Sequence, residues 1–285
     1  MLLSYQGSVN RWECDENDHM NVRFYVRKLS ETLFNGLLEL GLSNSGGFDD
    51  VVGGLSSQHF RFLKEARLAS PLAGYTAIVG VNQVLTELRD AASDEVLCAA
   101  VNTIHTSSLT ASCELPQYAQ PRGLKNQVLE YEGSNLEEAK AFGFRTVGKG
   151  AIHHDECTES GSLQLSNYMG RFSDSMPNLW GLLYPEGTTE AEGGAVVEYR
   201  LDYKAPLKSG DRYELVSGVC DAGNKTLRFA HLLFDVETRC CCVASESVGV
   251  RLDLVARKAK EVSPTLAAKL DQYQLKSRLA KVSRS

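Results

Sequence analysis

No apolar run in the 285 residues comes near the roughly 20 that a bilayer helix needs, so neither a membrane span nor a membrane partner is predicted. Met1 to Trp12 hold no basic stretch followed by an apolar block, which predicts no secretory signal and a cytoplasmic protein. There is no Cys-x-x-Cys pair, and this argues against zinc and redox centres. Of the eight cysteines, Cys240, Cys241 and Cys242 are consecutive; on a strand they alternate faces and cannot share one metal. Buried, reduced thiols are the expectation. The sequence has no Gly-x-Ser-x-Gly for a nucleophile elbow, no GxxxxGK[ST] and no GxGxxG, and Gly148-Lys149-Gly150 is too short to cradle phosphate. His153-His154-Asp155-Glu156 places its two histidines on opposite faces of a strand without completing ligands, so it reads as surface. His59, His105 and His231 read as packing or solvent residues. No metal and no organic cofactor are expected.

What is there suits a globular chain: 43% hydrophobic and 23% charged residues, enough for one large core or two ordinary ones. A net charge of −6 excludes a general nucleic-acid binder. The charge is uneven, because Ala256 to Ser285 hold eight Lys/Arg and two Asp/Glu. Ser263-Pro264 reads as a helix N-cap and first-turn proline. Leu266, Leu270, Tyr273 and Leu279 then form a partial apolar stripe, with Lys269, Lys276, Arg278 and Lys281 along the other side. The plain reading is a solvated basic helix; the sharper one is a contact for phosphates or an acidic partner.

The chain repeats itself. At an offset of 143, Glu13-Cys14 falls on Glu156-Cys157 and Tyr25 on Tyr168. Val26, Leu29, Leu33, Leu37 and Leu40 then fall on Met169, Phe172, Met176, Trp180 and Leu183, an amphipathic helical stripe in both halves. Gly41 is expected to close the first helix, and Pro177 to break or kink the second. Ala195 to Lys204 alternates apolar and charged residues, as a half-buried antiparallel strand does. Matching Ala205-Pro206-Leu207 to Ser70-Pro71-Leu72 gives an offset of 135, with some eight extra residues placed in Gly41 to Ser57. Further long strands end near 101–105 and 248–252. The prediction is an α+β protein of two units, 1–113 and 142–256, with a polar linker at 114–141 and a basic tail at 257–285. Joining two units satisfies open sheet edges as a symmetric dimer would.

The densest polar cluster runs from Trp12 to Asn21 and ends in Tyr25, just before the first helix. A loop carboxylate such as Asp15 can act as base or nucleophile, and amides at a helix start can hold a developing oxyanion. The segment resembles the signature of hot-dog thioesterases related to hydroxybenzoyl-CoA thioesterase. In that family an Asp precedes Gly-His-Val/Met-Asn and then a helical Tyr; Asp15, His19, Asn21 and Tyr25 match in type and spacing. The resemblance implies a double hot-dog fold and an acyl-CoA or acyl-carrier-protein substrate. It also implies Asp15, His19 and Asn21 as the catalytic set. Asp18 stands where the family has glycine and adds a carboxylate that faces either the pocket or solvent. Helix capping alone would account for one of Asp15, Asp18 and Asn21, not for a run containing histidine.

In the second half Asp15, Asp18, His19 and Asn21 fall on Thr158, Gly161, Ser162 and Gln164, so one working site and one degenerate site are expected. Asp18, Tyr25, Thr158 and Ser162 are the expected substrate-binding residues, and a homo-oligomer of such chains is compatible with the fold. Two rivals stand beside hydrolysis. A hot-dog hydratase or dehydratase would place its Asp five residues before the His, where Cys14 stands. A non-catalytic acyl-binding protein would have had no reason to keep Asp15.

Overall fold

The computed structural model describes residues 1–15, 18–42, 47–105, 109–124, 131–183, 192–253, 256 and 258–276. The chain divides into two compact units, Met1–Pro121 with His153–Ser173, and Arg122–Ile152 with Asp174–Ser285.

In the first unit β1 (Leu2–Ser8) leads through a 3₁₀ turn at Arg11–Glu13 to α1 (Val22–Glu39), α2 (Phe48–Gly54), β2 (Leu55–Phe62), β3 (Pro71–Gly80), β4 (Gln83–Asp90) and β5 (Val96–Ile104). The strands lie in the order β1-β3-β4-β5-β2, all antiparallel. Tyr25, Val26, Leu29, Leu33 and Leu37 are the buried face of α1, as the stripe predicts, while Leu40 is exposed. Gly41, at φ +68°, ends the helix: its N–H donates to Leu38 (3.0 Å) and that of Leu42 to Leu37 (2.8 Å), the paired bonds of a Schellman stop.

After α3 (Leu136–Phe142) the second half of the chain repeats the plan with β6 (Arg145–Ala151), α4 (Leu165–Leu183), β7 (Glu192–Tyr203), β8 (Arg212–Ala222), β9 (Thr226–Asp235) and β10 (Cys241–Asp253). Strand order is β6-β8-β9-β10-β7, the order of the first unit. β11 (Lys258–Lys260) pairs with β10, and α5 (Pro264–Tyr273) follows. Ser263 caps α5, its Oγ accepting from the Leu266 N–H at 3.2 Å. Leu266, Leu270 and Leu275 are buried, so α5 is docked; Arg278, Lys281 and Leu279 lie outside the described residues.

The offset of 143 is reproduced bond for bond. Glu13 Oε2 accepts from the Asn10 N–H (2.8 Å), and Glu156 Oε2 from the His153 N–H (3.0 Å). Lys28 Nζ pairs with Glu13 at 2.8 Å and Arg171 with Glu156 at 2.5 Å. Asn35 Nδ2 donates to the Ser4 carbonyl, and Asn178 Nδ2 to that of Val147. The repeated Glu-Cys dipeptide therefore has a physical basis: its glutamate both caps a turn and anchors the helix that follows.

Four expectations are corrected. Of the break or kink expected at Pro177, the break does not occur: α4 runs on to Leu183; Leu179 and Leu183 are buried, and that apolar face outweighs the backbone bond proline cannot make. The offset beyond the helices is 141, not 135. Leu63 and Lys64 donate to the Leu97 carbonyl as Lys204 and Ala205 do to that of Cys242, and Ala69 (φ +66°) matches Gly210 (φ +90°). The first half thus carries two extra residues there, not eight. β7 is buried on its charged face as well. The Glu198 carboxylate accepts from the N–H groups of Arg122, Gly123 and Leu124 (3.0, 2.7 and 3.3 Å), and Asp202 pairs with Arg200. Finally, all eight cysteines are free, but Cys113 and Cys240 are exposed and only Cys98, Cys157, Cys220 and Cys242 are buried.

His231 is a packing residue with polar company. Its Nδ1 lies 2.7 Å from Ser217 Oγ and its Nε2 3.0 Å from Ser247 Oγ. Burial pushes its pKa down to about 3, so the ring is neutral at physiological pH.

Candidate active site

The chain leaves β1 at Val9, whose N–H donates to the Ser70 carbonyl (3.1 Å), and enters the 3₁₀ turn capped by Glu13. Cys14 bridges to Met20, closing a loop whose neck is the bond from Asp15 N–H to the His19 carbonyl (2.8 Å). The His19 N–H donates back to Asp15 Oδ1 at 3.2 Å. Asp15 and His19 are therefore held beside each other by the backbone.

Asp18 occupies the left-handed region, φ +58°, as Gly161 does in the second half at φ +85°. That conformation suits glycine best, and Asp is among the residues that tolerate it. The side chain is 66% exposed and pairs with Arg11 at 2.5 Å, so of the two placements weighed above the structure shows solvent.

His19 Nε2 lies 3.2 Å from Glu65 Oε2, a partner the sequence gave no sign of. Glu65 follows β2 at a corner that Tyr25 fixes: the Tyr25 hydroxyl accepts from the Ala66 N–H (2.6 Å) and donates to the Lys64 carbonyl (3.2 Å). Tyr25 is buried, and burial pushes its phenol pKa well up. Its hydroxyl is engaged with the backbone on both sides, which fixes the Lys64–Ala66 corner. The Met20 N–H donates to the Ala66 carbonyl (2.8 Å), tying loop and corner together.

Asn21 caps α1, its side-chain oxygen accepting from the Arg23 N–H at 2.9 Å. Its carbonyl takes the N–H groups of Phe24 and Tyr25, and its own N–H donates to the Glu13 carbonyl. Among the described residues this leaves Val22 N–H as the first-turn donor without a partner, at the positive end of the helix.

The second loop copies the first in its backbone. Thr158 N–H donates to Ser162 O (2.7 Å) and Gly161 N–H to Thr158 O (3.0 Å), as Asp15 N–H does to His19 O and Asp18 N–H to Asp15 O. The Thr158 hydroxyl is taken by Asp49 Oδ1, and Ser162 Oγ lies 3.3 Å from Ser160 Oγ. Thr158 and Ser162 thus bond within their own loop and to α2. Thr158→Ala and Ser162→Ala are each expected to change turnover by less than about tenfold, measured as steady-state thioester cleavage. A loss as large as that from removing Asp15 would move the centre to the second loop.

Comparison with known proteins follows the same division. Residues 153–270 match the thioesterase-like superfamily. No curated protein sequence matches the chain. Among solved structures, a Lactobacillus plantarum protein bearing the provisional name oleoyl thioesterase aligns with a TM-score of 0.60 and 11% identity, covering 88% of this chain and 96% of its own. The 12:0-ACP thioesterase of Umbellularia californica gives 0.55 and 10% identity, with 87% and 93% covered. An acyl-ACP thioesterase of Bacteroides thetaiotaomicron gives 0.53 and 13%, with 86% and 96% covered. Identities this low carry the fold alone. The superfamily match falls on the half whose loop has lost its Asp and His, while the Asp-His loop lies in the other half. The match to the thioesterase-like superfamily covers less than half of the chain, residues 153–270, and the chain as a whole has the double hot-dog fold.

Proposed function

We propose that this protein hydrolyses an acyl thioester, carried on CoA or on an acyl carrier protein, to a free acid and a thiol, without a metal or organic cofactor. The observation that carries this reading is a loop carboxylate, Asp15, held by the His19 N–H seven residues before a helix-start amide, Val22 N–H, that has no partner among the described residues. Asp15 either takes a proton from a water whose oxygen adds to the carbonyl carbon, or attacks that carbon itself to give an acyl anhydride that water then cleaves to the free acid; in both routes the C–S bond breaks as the new C–O bond forms, and the thiolate leaves to be protonated. Val22 N–H is the oxyanion donor. Asn21 serves by capping: with its side chain on Arg23 and its carbonyl on Phe24 and Tyr25, it keeps the helix start in place and leaves Val22 N–H without a partner among the described residues. The His19 backbone orients Asp15 and its ring meets Glu65. Asp18 and Tyr25 act outside the reacting centre, one on Arg11 and one on the Lys64–Ala66 corner.

The names of the aligned acyl-ACP thioesterases support a thioester substrate, and Cys14 standing where a hydratase would keep its Asp supports hydrolysis over hydration. The test is thiol release from a panel of acyl-CoAs and acyl-carrier proteins beside crotonyl-CoA hydration. Hydration without thiol release would overturn the reading. Within it, Glu65→Gln removes the charge that holds the His19 ring. Turnover is expected to fall by about ten- to a hundredfold with the Michaelis constant little changed, since the loss falls on the chemical step. An unchanged turnover would leave the Glu65–His19 contact structural.

A further inference from the structure

We propose that the second loop has become a carboxylate receptor whose resident ligand is Asp49, and that this contact fastens α2 as a releasable strap beside α1. Three donors converge on the one carboxylate. The hydroxyls of Thr158 and Ser160 both donate to Asp49 Oδ1, the latter at 2.5 Å, and the Ser160 N–H donates to Oδ2 at 2.9 Å. Thr158 is the residue that replaces Asp15 in the repeat. The loop that lost its own carboxylate therefore holds one brought by another element, and two of the three donors are hydroxyls that the first loop, with Asp15 and Asn17 at those positions, does not have. Both oxygens of Asp49 are occupied, and although burial opposes it, the bonds from Ser160 and Thr158 hold its pKa below the usual carboxylate value. Such a group is a poor proton acceptor and a good fastening.

The strap has the make-up of a segment that docks as a unit. Phe48–Gly54 is only seven residues, too short to be helical by itself, and its N-cap, Gly47 at φ +71°, makes no side-chain cap bond. Gly53 and Gly54 end it with open space on their Cβ side. Contacts with the rest of the unit must therefore hold it. These include the Phe48 ring stacked on Phe34 of α1 (centroids 4.8 Å apart), the buried Val51, the Gly54 carbonyl, which accepts from the His105 N–H at 2.6 Å, and the Asp49 carboxylate. The His105 bond ties the end of α2 to the sheet; of these contacts the carboxylate alone is charged and holds the first turn, so it sets whether the strap is fastened there.

Hydrogen exchange by mass spectrometry on the full chain tests this. Asp49→Ala is expected to raise exchange by about tenfold or more in peptides covering 47–57 and 158–162 together, with β4 and β9 unchanged. Thr158→Val with Ser160→Ala is expected to give the same pattern, and adding Asp49→Ala to that pair to give no further increase. Asp49→Asn, which keeps the shape and drops the charge, should fall between. Exchange in 47–57 within twofold of wild type in Asp49→Ala, or increases that multiply in the combined variant, would overturn the proposal. Unchanged β4 and β9 peptides show that the variants are folded, and none of these readouts depends on thioester hydrolysis.

Discussion

Asp15→Ala is expected to lower kcat/KM for thioester hydrolysis by at least a hundredfold, about 2.7 kcal/mol of transition-state stabilisation, while the chain stays folded. The carboxylate is half-buried in a loop and receives the His19 N–H, so its removal costs the fold on the order of 1 kcal/mol. Asp15→Asn separates charge from geometry. The amide still accepts from His19 but neither takes a proton nor attacks, and it is expected to be nearly as inactive as alanine with a smaller effect on stability. Steady-state thiol release together with a thermal melt checks both. More than a tenth of wild-type turnover in either variant would remove Asp15 from the chemistry.

The largest stability effect is expected from Lys28→Met. Lys28 and Glu13 are each only 5% exposed and meet at 2.8 Å; Nζ also reaches the Ser8 carbonyl (3.3 Å) and the Tyr5 hydroxyl (3.4 Å). Removing one member of such a pair leaves the other charge buried without its counter-ion and costs about 3–5 kcal/mol. Glu13 also caps the Arg11–Glu13 turn and accepts the Asn21 N–H, so the damage reaches the start of α1 and the site it carries. Equilibrium denaturation measures the loss. Lys28→Met combined with Glu13→Gln is expected to recover part of it, because the stranded charge is gone; a double variant as unstable as the two losses added would show instead that the pair acts through packing.

How far the fold could be read from the sequence depended on the range of the interactions involved. The α1 stripe, the Gly41 stop, the Ser263 cap and the 143-residue offset are local: each is set by residues a few positions apart, and each could be read. The offset past the helices could not. Ser70-Pro71-Leu72 and Ala205-Pro206-Leu207 look alike as strings, but register is set by sheet pairing, which puts Ala69 opposite Gly210 in the repeat. The burial of Glu198 depends on amides more than 70 residues away, and nothing in the alternating pattern of β7 announces it. In the site, the Asp15–His19 loop and the Asn21 cap carry their own spacing. Glu65 and Asp49 are lone acids without a motif, and only the folded chain brings them to His19 and to Thr158. Tyr25 was visible through its spacing, yet its work, holding the Lys64–Ala66 corner, was not.

The most direct measurement is the rate of free thiol release from acyl-CoA by the full chain, with Asp15→Asn as the matched control. The account predicts enzyme-dependent release in the wild type and at least a hundredfold less in the variant. Equal release by both proteins, or none from any acyl-CoA or acyl-carrier protein in the panel, would contradict it.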